Sequence, residues 1–122
     1  MSLKVEWLVE GQVCVVTAPE VIDGEMLKNH DSLMMRWLDA GREKVYVIVD
    51  VSAMKRVESL KHAFMLKHIR HPRMTHTFTV GLTLNPTARF IIPIVAQAIG
   101  IHYKDFARRE DARAYITEIS GI

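Results

Sequence analysis

The sequence predicts an α/β fold, a mixed and largely parallel central sheet with flanking helices, in the order β-β-α-β-α-β-α-β-α. Three observations lead there. β-prone runs alternate with segments of helical periodicity along the whole chain. The first two runs are joined by Glu10-Gly11, a tight-turn signal, so they pair as a hairpin and make the sheet mixed. Val45 to Val49 is apolar without a break, as in a strand covered on both faces. At 122 residues, 49% apolar and 25% charged, the chain suffices for one core but not two, so residues 1–122 are read as a single domain.

Lys4 to Val9 and Gln12 to Thr17 are the hairpin strands, after which Pro19 breaks the chain. From Gly24 to Ala40, Met26, Leu27, His30, Leu33, Met34, Trp37 and Leu38 form one helical stripe, with Asp23 as N-cap and Gly41 as stop. Val45 to Val51 is the buried strand. A helix is expected from Ser59 to His71, ended by Pro72, although Leu60, Ala63, Phe64, Met65, Leu66 and Ile69 make no clean stripe. Thr77 to Leu84 reads as a strand. Asn85-Pro86 pairs a capping side chain with a proline at the first helical position and opens a helix to Gly100. His102 to Phe106 is a short strand, and Arg109 to Ile119 a last helix with Ala112, Tyr115, Ile116 and Ile119 inward.

Composition narrows the function classes. The single cysteine, Cys14, permits no disulfide within the chain and reads as a small core hydrophobe, which favours a reducing compartment and a cytoplasmic location. The start carries no signal-peptide pattern. The longest apolar stretch, Phe90 to Ile101, is interrupted by Pro93, Gln97 and Gly100 and falls short of the ~20 residues that span a bilayer, so the chain is not expected to cross a membrane. Between Lys55 and His76 six cations face only Glu58, a local net of +5 in a chain whose total is +2, leaving −3 elsewhere. That window has a single interleaved aromatic, Phe64, so it reads as a solvated face rather than a nucleic-acid site. His62, His68, His71 and His76 fall in the same window, but they match no standard zinc spacing and have no acidic or cysteine ligand beside them, so no metal is expected. No nucleophile elbow, phosphate-binding glycine loop or dinucleotide fingerprint occurs; no catalytic residue and no cofactor is assigned.

The most informative segment is the strand end Ile48-Val49-Asp50-Val51-Ser52 with Glu58-Ser59 opening the next helix, since open α/β sheets place their sites at strand C-termini. This segment resembles the STAS domain, typified by bacterial anti-anti-sigma factors, in which an apolar strand ending Asp-Leu-Ser is followed by five loop residues and Asp-Ser-Ser/Thr-Gly at a helix start. Asp50-Val51-Ser52, the loop Ala53 to Val57 and Glu58-Ser59 fall in the same register without a gap. The resemblance implies that Ser59 stands where the family's regulatory phosphorylated serine stands, and Asp50 where its strand-end aspartate stands. Glu58, Leu60 and Lys61 depart from the family's aspartate, hydroxyl residue and glycine, so the resemblance supports the fold better than it supports phosphorylation. The C-terminal part, from Asn85-Pro86 and Arg89-Phe90 to Phe106 and Glu110-Asp111-Ala112, is similar to a STAS-like, CRAL-TRIO-related offshoot of small bacterial proteins. Read without the resemblance, Ser59 is a plain N-cap and Asp50 is satisfied by loop amides.

The helix from Pro86 to Gly100 is apolar around most of its circumference. Ala88, Ile91, Ile92, Val95, Ala98 and Ile99 make the sheet-facing stripe; Phe90 and Ile94 lie off it, and Arg89, Pro93 and Gln97 line a narrow polar seam. The face carrying Phe90, Ile94 and Gln97 is expected to form a homodimer contact or to line an apolar ligand pocket, or the helix is sandwiched between sheet and neighbouring helices. The leading expectation for function is a non-enzymatic signalling domain that docks a protein partner through Asp50 to Leu60, with Asp50, Ser52, Glu58 and Ser59 as the switch and partner loop. The alternative is a carrier or sensor of a small apolar ligand held near this helix and Met26, Met34 and Met65; an enzyme using Asp50 and Glu58 ranks last.

Overall fold

The computed structural model describes residues 3–122. In chain order it contains β1 (Lys4–Val9), β2 (Val13–Thr17), β3 (Val21–Ile22), α1 (Gly24–Ala40), β4 (Val45–Asp50), β5 (Arg56–Val57) and α2 (Leu60–Phe64). A 3-10 turn at His68–Arg70 leads to β6 (Met74–Val80), α3 (Pro86–Ile99), β7 (Tyr103–Phe106) and α4 (Arg109–Ser120). Five strands form one sheet in the order β1-β2-β4-β6-β7. β1 and β2 are antiparallel across Gly11, whose φ of +74° suits glycine, and every other neighbouring pair is parallel. The sheet is mixed and mostly parallel, as the alternation of the sequence predicts.

Both faces of the sheet are covered, which is why β2 and β4 are apolar at nearly every position. α4 lies on one face, where Val13, Val15, Tyr46, Ile48, Phe78 and Val80 meet Ala112 and Ile116. On the other face Cys14, Val16, Val45 and Val47 meet Met34 and Leu38 of α1, while Ala18, Val51 and Met54 meet Leu27 of α1, Ala63 of α2 and Ala88 of α3. Ile48 and Ile116 are fully buried, and truncating either to alanine costs about 2–5 kcal/mol. At the open edge Trp7 stacks on Trp37 of α1 at 5.0 Å, while exposed Lys4 and Glu6 discourage pairing with a further strand.

The helix caps follow the sequence. Asp23 accepts from the Met26 amide at 2.8 Å, Asn85 from the Ala88 amide at 3.0 Å, and Gly100 ends α3 in the left-handed conformation. The C-terminus of α1 gains a partner no local pattern announces: Arg73 donates to the carbonyls of Leu38, Asp39 and Gly41.

Three segments differ from the sequence-based expectation. The helix expected from Ser59 to His71 stops at Phe64, because the Lys67 and His68 amides turn to Asp31 Oδ1 of α1, each at 2.8 Å, instead of to the carbonyls one turn back. The strand expected over Thr77–Leu84 runs from Met74 to Val80. Gly81, at φ +80°, turns the chain out of the sheet, and the Leu82 amide goes to Asp105. The two-residue strands β3 and β5, which no periodicity can announce, pair in parallel and tie residues 55–58 to residues 20–22. Lys55 and Arg56 donate to the Glu20 carbonyl and Glu58 to the Ile22 carbonyl.

Candidate functional site

The site grows from the C-terminal end of β4. Asp50, the last residue of that strand, accepts from the Ser52 amide at 3.0 Å and the Ser52 hydroxyl at 2.5 Å through Oδ1. This is an Asx turn closed by the following serine. Oδ2 accepts from Arg109 Nε at 2.8 Å, and Arg109 Nη2 donates to Thr17 Oγ1 at 2.8 Å. Partial burial raises the Asp50 pKa, but the bonds from Ser52 and Arg109 outweigh it and hold the carboxyl below the usual range. Asp50 is thus an ionised anchor between β4, the following loop and α4.

Beyond the loop, Ser59 is the N-cap of α2. Its hydroxyl accepts a long bond from the His62 amide at 3.4 Å and lies 2.6 Å from His62 Nδ1. His62 also lies close against the start of α1: a Cβ on Gly24 would stand 2.6 Å from the same Nδ1. The absence of a side chain at Gly24 lets the imidazole reach Ser59. Glu58 is exposed and bonds Arg56 at 2.9 Å. The structure therefore joins Asp50 to Ser52 and, separately, Ser59 to His62; the bonds of Asp50 go to Ser52 and Arg109, not to Glu58 or Ser59.

Three supporting residues carry more than the sequence suggests. Asn85 Nδ2 donates to the carbonyls of Val51, Ser52 and Met54, at 3.0, 3.2 and 2.6 Å, while Oδ1 caps α3. The strong Asn-Pro cap signal was visible, but its second task of closing the β4–β5 loop was not. Gly81 faces the same loop, since a Cβ there would stand 2.6 Å from that of Ser52. Arg109 had a signal that could have been used. A cation in the first turn of a helix opposes the helix dipole, so it needs an anion nearby.

Around this loop lies an apolar surface. Leu60, Phe64 and Met65 at α2 are exposed, and α2 packs beside α3, whose outer side exposes Phe90 at 70%, Ile94 and Gln97. Lys61, Lys67, Arg70 and Arg89 are exposed in the same segments. The inward side of α3 carries Ala88, Ala96 and Ile99, with Ala98 outside. Of the methionines singled out from sequence, Met34 is core, Met65 is exposed and Met26 is half-buried on α1.

The histidines have separate partners. His68 Nδ1 bonds Asp31 and His71 Nε2 bonds Asp39, both at 2.7 Å, and His76 stacks on Tyr46. The acidic partners that the local sequence lacks come from α1. Among the described residues no three His, Cys, Asp or Glu side chains converge to hold a metal ion, and no helix is long and apolar enough to cross a membrane.

No protein-family model matches the sequence, and no curated protein matches it. Solved structures do match. The Bacillus cell fate determinant SpoIIAA in its phosphorylated form superposes with a TM-score of 0.67 at 14% identity, over 94% of this chain and 99% of that one. The anti-sigma factor antagonist SpoIIAA in its unphosphorylated form gives 0.70 at 16% identity, over 99% and 98%. An uncharacterised DUF3478-family protein with a SpoIIAA-like fold, from Shewanella loihica PV-4, gives 0.67 at 10% identity, over 93% and 91%. At such identities the likeness is one of fold: this chain has a SpoIIAA-like α/β fold.

Proposed function

We propose that this chain is a non-enzymatic signalling domain that docks a protein partner at the β4–α2 loop and the exposed side of α2 and α3, and that phosphorylation of Ser59 switches docking. The observation that carries the reading is the position of Ser59, a half-buried cap at the end of a tied-down loop in a fold shared with an anti-sigma factor antagonist known in phosphorylated and unphosphorylated forms. A phosphate on Ser59 brings a charge of about −1.5 to −2 and three acceptor oxygens. The imidazole of His62, 2.6 Å from the Ser59 hydroxyl, is close enough to donate to one of them. The surrounding surface, apolar at Leu60, Phe64 and Phe90 and basic at Lys61, Lys67 and Arg89, suits a partner face that is apolar with an acidic rim.

The non-enzymatic part rests on the commitment of Asp50. Both of its oxygens are engaged and its pKa is lowered, which is the reverse of what a general base near neutral pH needs. Intact-mass spectrometry of the protein taken from its own cells tests the switch, with the site mapped by fragmentation. The expected result is a phosphorylated fraction carrying its phosphate on Ser59. Phosphate found only on other residues, or none across growth and stress conditions, overturns the switch.

A further inference from the structure

Between the sheet and the layer of α1, α2 and α3 lies an apolar cavity of about 150 Å³. Val47 and Val49 of β4, Ala63 of α2, and Ile92 and Val95 of α3 form much of its wall. It is partly open to the surface, and since interiors pack with few voids larger than a water molecule, apolar walls left without contacts cost stability. A second irregularity belongs to one residue of its wall. His30 of α1 lines the cavity, is only 8% exposed, and its Nδ1 is the one fully buried side-chain polar atom among the described residues without a hydrogen-bond partner. Its neighbours are engaged elsewhere: Asp31 bonds His68, and Thr79 donates its hydroxyl to Asp105. The His68 ring, edge-on to His30 at 5.2 Å, offers no bond to it.

One occupant relieves both irregularities. The walls call for an apolar body, and an engineered apolar cavity of about 150 Å³ in another protein remains dry and takes up benzene. The orphaned nitrogen calls for one hydrogen-bonding group. A hydroxyl serves best, because it donates or accepts and so satisfies either tautomer of a neutral imidazole. A water molecule alone needs two to four polar partners, and this cavity is almost wholly apolar. The ligand's charge is also constrained. His30 and Leu3 also border a second pocket of about 290 Å³ at the first turns of α1, where Asp23 and Glu25 disfavour an anion nearby. The apolar walls oppose any ion.

We propose that this cavity is a binding site for a small neutral molecule, an apolar body about the size of one six-membered ring bearing a single hydroxyl that hydrogen-bonds His30. The site is independent of the proposed docking surface. Phe90, Ile94 and Gln97 do not line it; Ile91, Ile92, Val95, Ala96 and Ile99 of α3 do, and from the methionines it takes Met54 and Met74.

Phenol, benzene and benzoate titrated into the full chain, followed by methyl and amide NMR, test the proposal. Phenol should saturate, with shifts at Val47, Ile92 and Val95, and bind roughly tenfold tighter than benzene, as one buried hydrogen bond gives. His30→Leu should bring phenol to the level of benzene while benzene still binds, which also shows that the variant folds. Ala96→Leu should weaken both by filling the space. In the wild type, phenol should move the His30 ring-nitrogen resonances and leave those of His76 in place, a readout that needs no variant. No saturable phenol shift, equal affinity for phenol and benzene, or benzoate binding as tightly as phenol overturns the proposal.

Discussion

Arg109 Nε stands 2.8 Å from Oδ2 of Asp50, across 59 positions of sequence, and joins the first residue of α4 to the end of the strand that carries the candidate site. The pair does three things at once. It places an anion beside a cation that would otherwise oppose the dipole of α4, it gives Thr17 of β2 a partner through Arg109 Nη2, and it leaves Oδ1 of Asp50 free to hold the Ser52 turn. Arg109→Met should therefore destabilise the fold, as should Asp50→Asn, each by about 1–2 kcal/mol. The double variant should cost less than the sum, by a coupling of about 1 kcal/mol, because the guanidinium is partly exposed and screened. Urea unfolding of the four proteins measures this, and strict additivity would show that the pair is not a working contact.

Asn85 is the residue on which loop and helix both depend. Asn85→Ala removes a cap, typically about 1 kcal/mol, and takes a donor from the Val51, Ser52 and Met54 carbonyls, of which Val51 keeps the Met54 amide, for a total of about 2–3 kcal/mol. Asn85→Asp keeps the cap acceptor but turns a carboxylate toward those carbonyls, so it should be no better than alanine. Hydrogen exchange at Val51 to Met54 should accelerate in both variants; unchanged exchange there would place the loop's support elsewhere.

Stability should fall as the pH is lowered from about 6.5 to about 4. Burial, with the charge of His68 adding to it, pushes His30 down from 6.5 to about 4, and Asp31 only partly offsets this. Between those values the unfolded chain binds a proton at His30 that the folded chain refuses, so each step down in pH favours unfolding. His30 alone accounts for a loss on the order of 2–3 kcal/mol over that window. Burial pushes His68 down as well, which steepens the same window. Asp31 and Asp50 are held below the usual carboxylate range, so their stabilisation is full above that range and disappears at still lower pH, as the folded carboxyls protonate. His30→Leu should flatten the limb between pH 6.5 and 4 and leave the more acidic limb unchanged, as read by urea midpoints against pH.

How far the sequence could be read depended on the range of each interaction. The strong local signals, the Glu10-Gly11 hairpin, Asp23 and Gly41 bounding α1, the apolar β4 and the Asn85-Pro86 cap, lie within a few residues and survive in the structure. Ser59 as cap of α2 and Asp50 as a satisfied anchor were likewise legible. What was not legible came from far along the chain. Asp31 cuts α2 short from 36 residues away, Arg73 caps α1 from 34 residues after Asp39, and Arg109 reaches Asp50 over 59. The strands β3 and β5 have two residues each, too few for any period to show. His30 looked like one more member of the α1 stripe; only packing reveals that its Nδ1 is left over.

Gly24 should be a sensitive control on Ser59. Its backbone φ is ordinary, so Gly24→Ala introduces no backbone strain, but the new methyl would occupy the place of the His62 ring. The imidazole should swing away and leave Ser59 with its amide contact alone. The His62 ring-nitrogen resonances should shift toward those of a solvated histidine, with the melting temperature changed by only a few degrees. Unchanged His62 resonances would mean that the ring does not depend on Gly24 for its place.

The proposed docking surface includes the outer side of α3, whose exposed residues the core does not use. Phe90 is 70% exposed, so Phe90→Asp should leave the unfolding midpoint within about 0.5 kcal/mol of wild type. It should still abolish partner binding, since truncating or charging a central aromatic at an interface commonly costs 2 kcal/mol or more.

The most direct test of the central claim is quantitative affinity capture from the source cells, using wild type, Ser59→Glu, Phe90→Asp and, as a distant surface control, Glu118→Gln as baits. Complexes are then rebuilt from purified components and weighed by light scattering. One protein should be retained by wild type and Glu118→Gln in fixed stoichiometry, and lost with Ser59→Glu and with Phe90→Asp. Retention that is equal for all four baits, or no complex of defined stoichiometry with any of them, would contradict it.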